Sequence, residues 1–273
     1  MTMDQITSHP STDDVLLSVL KTWWMIRGGR GRVGGSTFLD FVIQYWRRRG
    51  RRVKPLDGDL RSRTFTALYP GKDASGLPMR DGATSPVSED LAANKAWLGG
   101  ELDDSVEDGV CRVVDFGGGD RVIQEYGDDI RIGDFCHAYS LGLIWPFILG
   151  PDPEDLQHVV QVIASGHVTG RILLVLNEGV IRHGQTTTGV FAATMQRPEY
   201  KALLRDGAEP FLMPRLTCMD QLRERGLGFY EAAAGGLDRE GRRASPTMRH
   251  MVGVWIKEME AQIEVSGAAQ WMA

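Results

Sequence analysis

The chain has 273 residues, of which 42% are hydrophobic and 25% are charged, an ordinary composition for a globular protein. Its formal net charge of −5 means that the surface is not basic as a whole, so any binding to nucleic acid would have to be local. No apolar run reaches the roughly 18 residues that a membrane span needs, so none is expected.

Cysteine use and the N-terminus point to one cellular setting. Cys111, Cys136 and Cys218 lie far apart and form no CxxC pair, which argues against a disulfide framework and predicts a reducing, cytoplasmic compartment. Residues 1–14 lack the basic start and apolar stretch of a signal peptide, and we expect a short flexible tail there. Residues 15–273 are expected to form a single domain.

Apolar runs of strand length alternate with longer helical patterns along the chain. The predicted strands cover residues 22–26, 52–56, 111–115, 141–149, 171–176 and 208–213. The predicted helices cover residues 36–49, 88–97, 153–165, 219–225, 229–234 and a last segment from about 247. Continuous apolar strands that alternate with helices predict the α/β class, a three-layer parallel sheet with helices on both faces.

A glycine-rich loop follows the first predicted strand and opens the first helix. It reads GGRGRVGGST over residues 28–37. Backbone N–H groups and the positive end of a helix dipole together suit a phosphate group. Ligands of parallel sheets bind beyond the carboxyl ends of the strands, which is where this loop lies.

The loop resembles the deviant P-loop of the ParA/MinD ATPases, KGGVGKST, when the two are aligned on Val33 and on residues 34–37. Three positions differ. Arg30 replaces the early signature lysine, Arg32 replaces a glycine, and Gly35 replaces the lysine that contacts the phosphates. By this resemblance Arg30 would act across a dimer, whereas Gly35 cannot supply a lysine ammonium at the β- and γ-phosphates.

A dinucleotide-binding fingerprint is the competing interpretation of the same loop. Gly29, Gly31 and Gly34 spell GxGxxG, and Asp57 ends the second predicted strand, where a ribose-binding acid belongs. This alternative predicts an NAD(P)-dependent oxidoreductase. It also requires a catalytic Tyr/Lys pair, His or Cys, and the sequence shows no such group in a recognisable pattern.

Later strand ends favour the ParA/MinD interpretation. Residues 56–60 (LDGDL) resemble the DxD element of that family, which implies that Asp59 orients the attacking water. Residues 113–120 (VVDFGGGD) resemble its Walker B and switch II region, which implies that Asp115 supports Mg²⁺ through water while Ser36 ligates the metal.

Two further strand ends resemble the base side of the family's nucleotide site. Asn177 ends the run RILLVLN, and Pro214 follows FLM. The residues that the resemblance implies in nucleotide binding are Gly31, Arg32, Val33, Gly34, Gly35, Ser36, Thr37, Asn177 and Pro214.

The resemblance implies a SIMIBI-like P-loop NTPase fold with ATP and Mg²⁺ as ligands, and a homodimer with further protein partners. The short segments TFTALY, LNEG and MPRL also resemble plasmid partition or conjugation proteins of the TraL type. Because Gly35 replaces the lysine, weak or absent ATPase activity is expected. A scaffold that has lost nucleotide binding remains the alternative, with Arg32 filling the phosphate cradle.

Two other features have both a structural and a functional interpretation. The basic run at 47–54 offers a DNA-binding patch, but cations at a helix end more commonly complement the helix dipole. The apolar stripe of the last helix resembles the membrane helix of MinD, yet its acidic residues favour packing against the sheet.

Overall fold

The computed structural model describes residues 22–117, 120–182 and 184–272. The expected tail at 1–14 and the glycines Gly118 and Gly119 of the expected switch turn lie outside the described residues.

Six strands form one sheet in the order β2-β3-β1-β4-β5-β6, and every neighbouring pair is parallel. Their bounds are β1 Trp23–Ile26, β2 Val53–Asp57, β3 Cys111–Asp115, β4 Gly142–Leu149, β5 Arg171–Asn177 and β6 Glu209–Met213. The predicted α/β class with a parallel sheet is therefore confirmed.

Helices cover the sheet between and after the strands. In chain order they are α1 Gly35–Arg48, α2 Thr64–Leu68, α3 Leu91–Asp108, α4 Asp120–Ile130, α5 Ile132–Ala138, α6 Pro153–Ala164, α7 Thr187–Gln196, α8 Pro198–Arg205, α9 Met219–Glu224, α10 Phe229–Ala234, α11 Pro246–Val265 and α12 Ala269–Met272. A short 3₁₀ turn, Glu178–Val180, follows β5.

Two hydrophobic cores lie on opposite faces of the sheet, and the alternation of side chains along β1 separates them. Trp23 and Met25 face the core built with α1, α10 and α11, whereas Trp24 and Ile26 face the core built with α3 and α6. The adjacent tryptophans are packing residues, since each is at most 1% exposed. The three-layer arrangement follows directly.

Helix α11 packs on the sheet through its apolar stripe. Met248, Val252, Trp255, Met259 and Ile263 are all buried in the first core. The structural interpretation of this stripe is therefore confirmed. No helix within the described residues combines the length and apolarity needed to cross a bilayer.

The strand order separates this sheet from the dinucleotide-binding fold, in which the first and second strands are neighbours in the order 3-2-1-4-5-6. Here β3 lies between them, because Val113 pairs with Met25 on one side and with Pro55 on the other. The dinucleotide-binding interpretation is thus wrong on topology. Asp115, rather than Asp57, ends the strand beside β1.

Candidate functional site

A cleft of about 720 Å³ opens at the carboxyl ends of β1, β2 and β3. Its walls come from the glycine-rich loop and the first turn of α1, from residues 58–62 after β2, from the start of α3, and from the end of β3. This is the edge at which ligands bind in parallel sheets. The strand order therefore brings the predicted loop and Asp59 into one cleft.

The loop holds its shape through left-handed backbone at three positions: Gly29 (φ 96°), Arg32 (φ 66°) and Gly34 (φ 89°). Glycine adopts this conformation without strain, whereas another residue there costs roughly 1–2 kcal/mol. Arg32 therefore occupies a glycine-type position, which matches the glycine that the P-loop motif has there. The strained backbone places the exposed side chain of Arg32 at the mouth of the cleft.

The N-terminus of α1 has little side-chain capping. Its N-cap is Gly34, which makes no side-chain hydrogen bond, and its first turn contains no acidic residue. The first N–H groups of a helix have no intrahelical partner and carry a partial positive charge. Together with Ser36 and Thr37, which line the cleft, this end of α1 provides donors for an anion.

Gly35 is a glycine because of space rather than backbone conformation. It is the first residue of α1 and its φ is not positive. A Cβ at Gly35 would lie 1.8 Å from Nε and 2.4 Å from Cδ of Arg27. The side chain of Arg27 thus fills the volume through which a lysine at position 35 would pass.

Arg27 is a buried charged group that lines the cleft. It was not predicted from the sequence. It follows β1 directly, is only 3% exposed and still lines the cleft. Its Nη1 donates to Oδ1 of Asp115 at 3.0 Å, and its Nη2 donates to the carbonyl oxygen of Arg30 at 2.6 Å. Its Nε is buried and has no partner among the described residues. The available signal was an arginine directly after the apolar run WWMI.

Asp115 lies beneath Arg27 and is 2% exposed. Its Oδ1 also accepts a hydrogen bond from the backbone N–H of Gly117 at 2.9 Å. The carboxylate is thus satisfied by a buried guanidinium and an amide. Burial of an ion pair is tolerated only with such geometry, because an unpaired charge in the interior is strongly unfavourable.

The ion pair of Asp115 does not fit its expected role of supporting Mg²⁺ through water, whereas the expected metal ligand Ser36 lines the cleft and stays a prediction. Mg²⁺ requires near-octahedral oxygen ligands, whereas Oδ1 of Asp115 already accepts hydrogen bonds from the Arg27 guanidinium and the Gly117 amide. A metal at this oxygen would have to displace Arg27 or face its positive charge. Within the described part of the chain, no group of three or more His, Cys, Asp or Glu side chains could hold a metal ion.

Two further carboxylates end or follow β2. Asp57 is 1% exposed, and its Oδ2 accepts hydrogen bonds from the backbone N–H and the hydroxyl of Thr66 at 2.7 and 2.8 Å. Burial raises the pKa of Asp57, and the nearby charge of Asp115 raises it further. Asp59 lines the cleft, and its Oδ1 accepts from the N–H groups of Arg61 and Ser62.

Arg30 points away from the cleft lining toward the start of α6. Its Nη1 lies 3.4 Å from Asp152, 3.2 Å from Glu154 and 3.3 Å from Asp155. Asp152 is the N-cap of α6, and its side chain accepts a hydrogen bond from the N–H of Glu154. A role for Arg30 across a dimer remains a prediction, and it would require Arg30 to leave these three carboxylates.

Asn177 is hydrogen-bonded to the backbone of the glycine-rich loop. Its Nδ2 donates to the carbonyl oxygen of Val33 at 2.7 Å, and its Oδ1 accepts from the N–H of Gly179 at 2.7 Å. A Cβ at Gly34 would lie 2.2 Å from Asn177 Nδ2, so the loop passes directly over this amide. Pro214 accepts a hydrogen bond from the Trp255 indole at 2.8 Å. Base contacts by Asn177 and Pro214 stay predictions.

The basic run at 47–54 is held down by intramolecular contacts. Arg49 lies 3.8 Å from the centroid of the Tyr45 ring, and Lys54 forms an ion pair with Glu101 at 2.8 Å. The remaining cations of the run also have partners, namely Arg47 with Tyr69, Arg48 with Tyr230, Arg51 with Trp46 and Arg52 with the Asp108 carbonyl. These contacts favour the structural interpretation of the run.

No protein-family model matches the sequence, and a search of curated proteins finds no match. Among solved structures, the MinC:MinD cell division protein complex of Aquifex aeolicus aligns with a TM-score of 0.48 at 10% identity, over 88% of this chain and 96% of that chain. A nucleotide-binding protein of Archaeoglobus fulgidus in complex with ADP aligns with a TM-score of 0.46 at 17% identity, over 78% of this chain and 91% of that chain. Similarities this weak carry no functional argument.

Proposed function

We propose that this chain is a ParA/MinD-like nucleotide-binding protein whose cleft binds the phosphates of a nucleoside di- or triphosphate, with weak or absent hydrolysis. The observation that carries the proposal is Arg27. A buried guanidinium with an unsatisfied Nε lines a cleft beneath a glycine-rich loop and the N-terminus of a 14-residue helix.

The cleft offers complementary groups for a phosphate chain. The first backbone N–H groups of α1 have no intrahelical partner and provide directional donors, and the helix dipole favours negative charge. Arg27 supplies a planar, permanently charged fork at one side of the cleft, and Arg32 adds an exposed cation at its mouth. Both arginines are compatible with charge-assisted hydrogen bonds to phosphate oxygens.

Low turnover follows from what the cleft lacks. Gly35 replaces the lysine that stabilises charge on the transferred phosphoryl group, and among the described residues no lysine lines the cleft. Asp59 is the candidate for orienting water. One of its carboxylate oxygens, Oδ1, already accepts two backbone N–H groups, which fixes its direction. We therefore expect binding to be the output of the protein.

The finer assignments rest on the sequence resemblance. A role in plasmid partition or conjugation, a homodimer and additional protein partners belong to the proposal at that level. Light scattering of the purified protein with and without nucleotide measures dimerisation. DNA binding through residues 47–54 is the weakest of these assignments, because the cations there already have intramolecular partners.

A scaffold without nucleotide binding is the second candidate function. The specific observation in its favour is the Arg27–Asp115 ion pair, which closes the space that a P-loop lysine would cross. In this case it is Arg27, and not Arg32 as expected from the sequence, that fills the cradle.

A thermal shift with ADP, ATP, GTP and NADH in parallel separates the two candidates. A ligand that binds only the folded state stabilises it by about 2.7 kcal/mol at a hundredfold excess over Kd. For a chain of this size that corresponds to an increase in Tm of roughly 5–10 °C. An increase with ATP or ADP supports the nucleotide site, and no increase with any ligand supports the scaffold.

A matched pair of variants localises the effect. Arg32 and Arg131 both have left-handed backbone (φ 66° and 53°), and both are exposed. Only Arg32 lines the cleft. We expect Arg32→Ala to reduce the nucleotide-induced shift and Arg131→Ala to leave it unchanged. Equal effects of the two substitutions would place the nucleotide elsewhere.

A further inference from the structure

We infer that the cleft binds nucleotide phosphates without Mg²⁺, because the Arg27 guanidinium takes the places of both the P-loop lysine and the metal ion. This inference rests on the proposed function and adds to it a rule of recognition. The ligand is the free polyphosphate chain of a nucleotide rather than its magnesium complex.

The replacement of the lysine is a matter of volume. A Cβ at position 35 would overlap Arg27, at 1.8 Å from Nε, and the α-helical backbone of Gly35 gives no other reason for a glycine there. Arg27 and a lysine at 35 are therefore mutually exclusive. This chain therefore has one cation beneath the loop, Arg27, which comes from the end of β1 rather than from the start of α1.

The replacement of the metal is a matter of charge. Asp115 is the carboxylate that the resemblance assigns to Mg²⁺, and its Oδ1 lies 3.0 Å from Arg27 Nη1 with both side chains at most 3% exposed. At this separation and burial, a divalent cation brought to the same carboxylate would be repelled by the guanidinium. Arg27 already provides the neutralisation that a metal would provide.

The guanidinium keeps donors available for a ligand. It has five N–H groups. Two of them have partners, Asp115 and the carbonyl oxygen of Arg30, and the buried Nε has none among the described residues. Nε is covered by Gly35, so an anion in the cleft would contact Nη1 and Nη2, each of which carries a second N–H beside the one already used. A bidentate contact of an arginine with phosphate oxygens uses this geometry.

Isothermal titration of the full chain with ADP and with ATP, in excess EDTA and in excess MgCl₂, tests the inference. We expect Kd in EDTA to be within about threefold of Kd in Mg²⁺, a difference below about 1 kcal/mol. Binding that is more than about tenfold tighter in Mg²⁺ would overturn the inference and leave the proposed function standing. Absence of binding in both conditions would overturn both.

Two variants, each checked for folding because each changes a buried ion pair, separate the two accounts. Asp115→Asn removes the charge that neutralises Arg27, so we expect several-fold tighter binding in EDTA. If Asp115 instead supported a metal, the same substitution would weaken binding in Mg²⁺. Because Arg27→Gln alone leaves a buried carboxylate unpaired, the second variant combines it with Asp115→Asn as a neutral pair. We expect this double variant, checked for folding by circular dichroism, to lose at least about tenfold in affinity with and without Mg²⁺. Unchanged affinity would overturn the inference.

Discussion

Gly35→Ala is the substitution that most sharply separates the steric account of Gly35 from ordinary helix propensity. Within a helix, replacing glycine by alanine normally stabilises by about 0.5–1 kcal/mol. Here the new Cβ would lie 1.8 Å from Arg27 Nε, so the arginine would have to leave its place. Asp115 would then lose its buried partner.

The magnitude follows from these two opposing effects. Breaking a buried ion pair by removing one partner costs about 3–5 kcal/mol. Subtracting the helix gain, we expect Gly35→Ala to destabilise the protein by about 2–4 kcal/mol. Urea unfolding followed by circular dichroism measures this as a fall in the midpoint at constant slope.

A control and a double-mutant cycle complete the test. Gly100 lies inside α3, and a Cβ there would meet no atom within 4 Å, so we expect Gly100→Ala to be neutral or stabilising. In an Arg27→Ala background, the space beside Gly35 is free, and Gly35→Ala should lose most of its cost. If Gly35→Ala is tolerated as well as Gly100→Ala while Arg27 is present, the steric reasoning is refuted.

Three further predictions concern the loop and its neighbours. Arg32→Gly removes left-handed backbone strain of roughly 1–2 kcal/mol, which the greater flexibility of glycine in the unfolded chain offsets in part. Urea unfolding should therefore show a stability that is unchanged or raised by up to about 1 kcal/mol. A clear loss of stability would contradict the presence of strain at Arg32. Asn177→Ala leaves the Val33 carbonyl without its donor, and we expect a loss of about 1–3 kcal/mol together with faster amide exchange in the loop; unchanged exchange would refute a stabilising role of this hydrogen bond. Because the pKa of Asp57 is raised in the folded state, the native protein retains a proton that the unfolded chain has released, and stability falls as pH rises through this window. The stability of the protein relative to Asp57→Asn should therefore decrease as pH rises above the ordinary aspartate pKa of about 4, and a difference that grows with pH would contradict this sign.

The strands and their order of alternation could be predicted from the sequence because buried parallel strands are short, continuous apolar runs. The run RILLVLN at β5 and the segment 229–234 at α10 match the structure closely. Helix α3 was predicted to end at 97 but continues to Asp108, where Gly109 ends it in left-handed backbone. Its Gly99 and Gly100 weaken the helical pattern, and packing overrides that propensity.

The site was predicted only in part. Glycine spacing located the loop, and strand ends located Asp59 and Asp115, because both signals are local in sequence. Arg27 was missed because its role depends on a contact across 88 residues with Asp115 and on the space beside Gly35. The strand order that excludes a dinucleotide-binding fold is likewise a property of pairing between distant segments, which periodicity does not reveal.

The most direct test of metal-free phosphate binding in the cleft is a crystal structure of the protein, from crystals grown with saturating ADP and EDTA. We predict the phosphates in the cleft, with oxygens about 3 Å from N–H groups of the loop and from the guanidinium of Arg27. ADP bound away from the glycine-rich loop, or a cleft that stays without ADP, would contradict the claim.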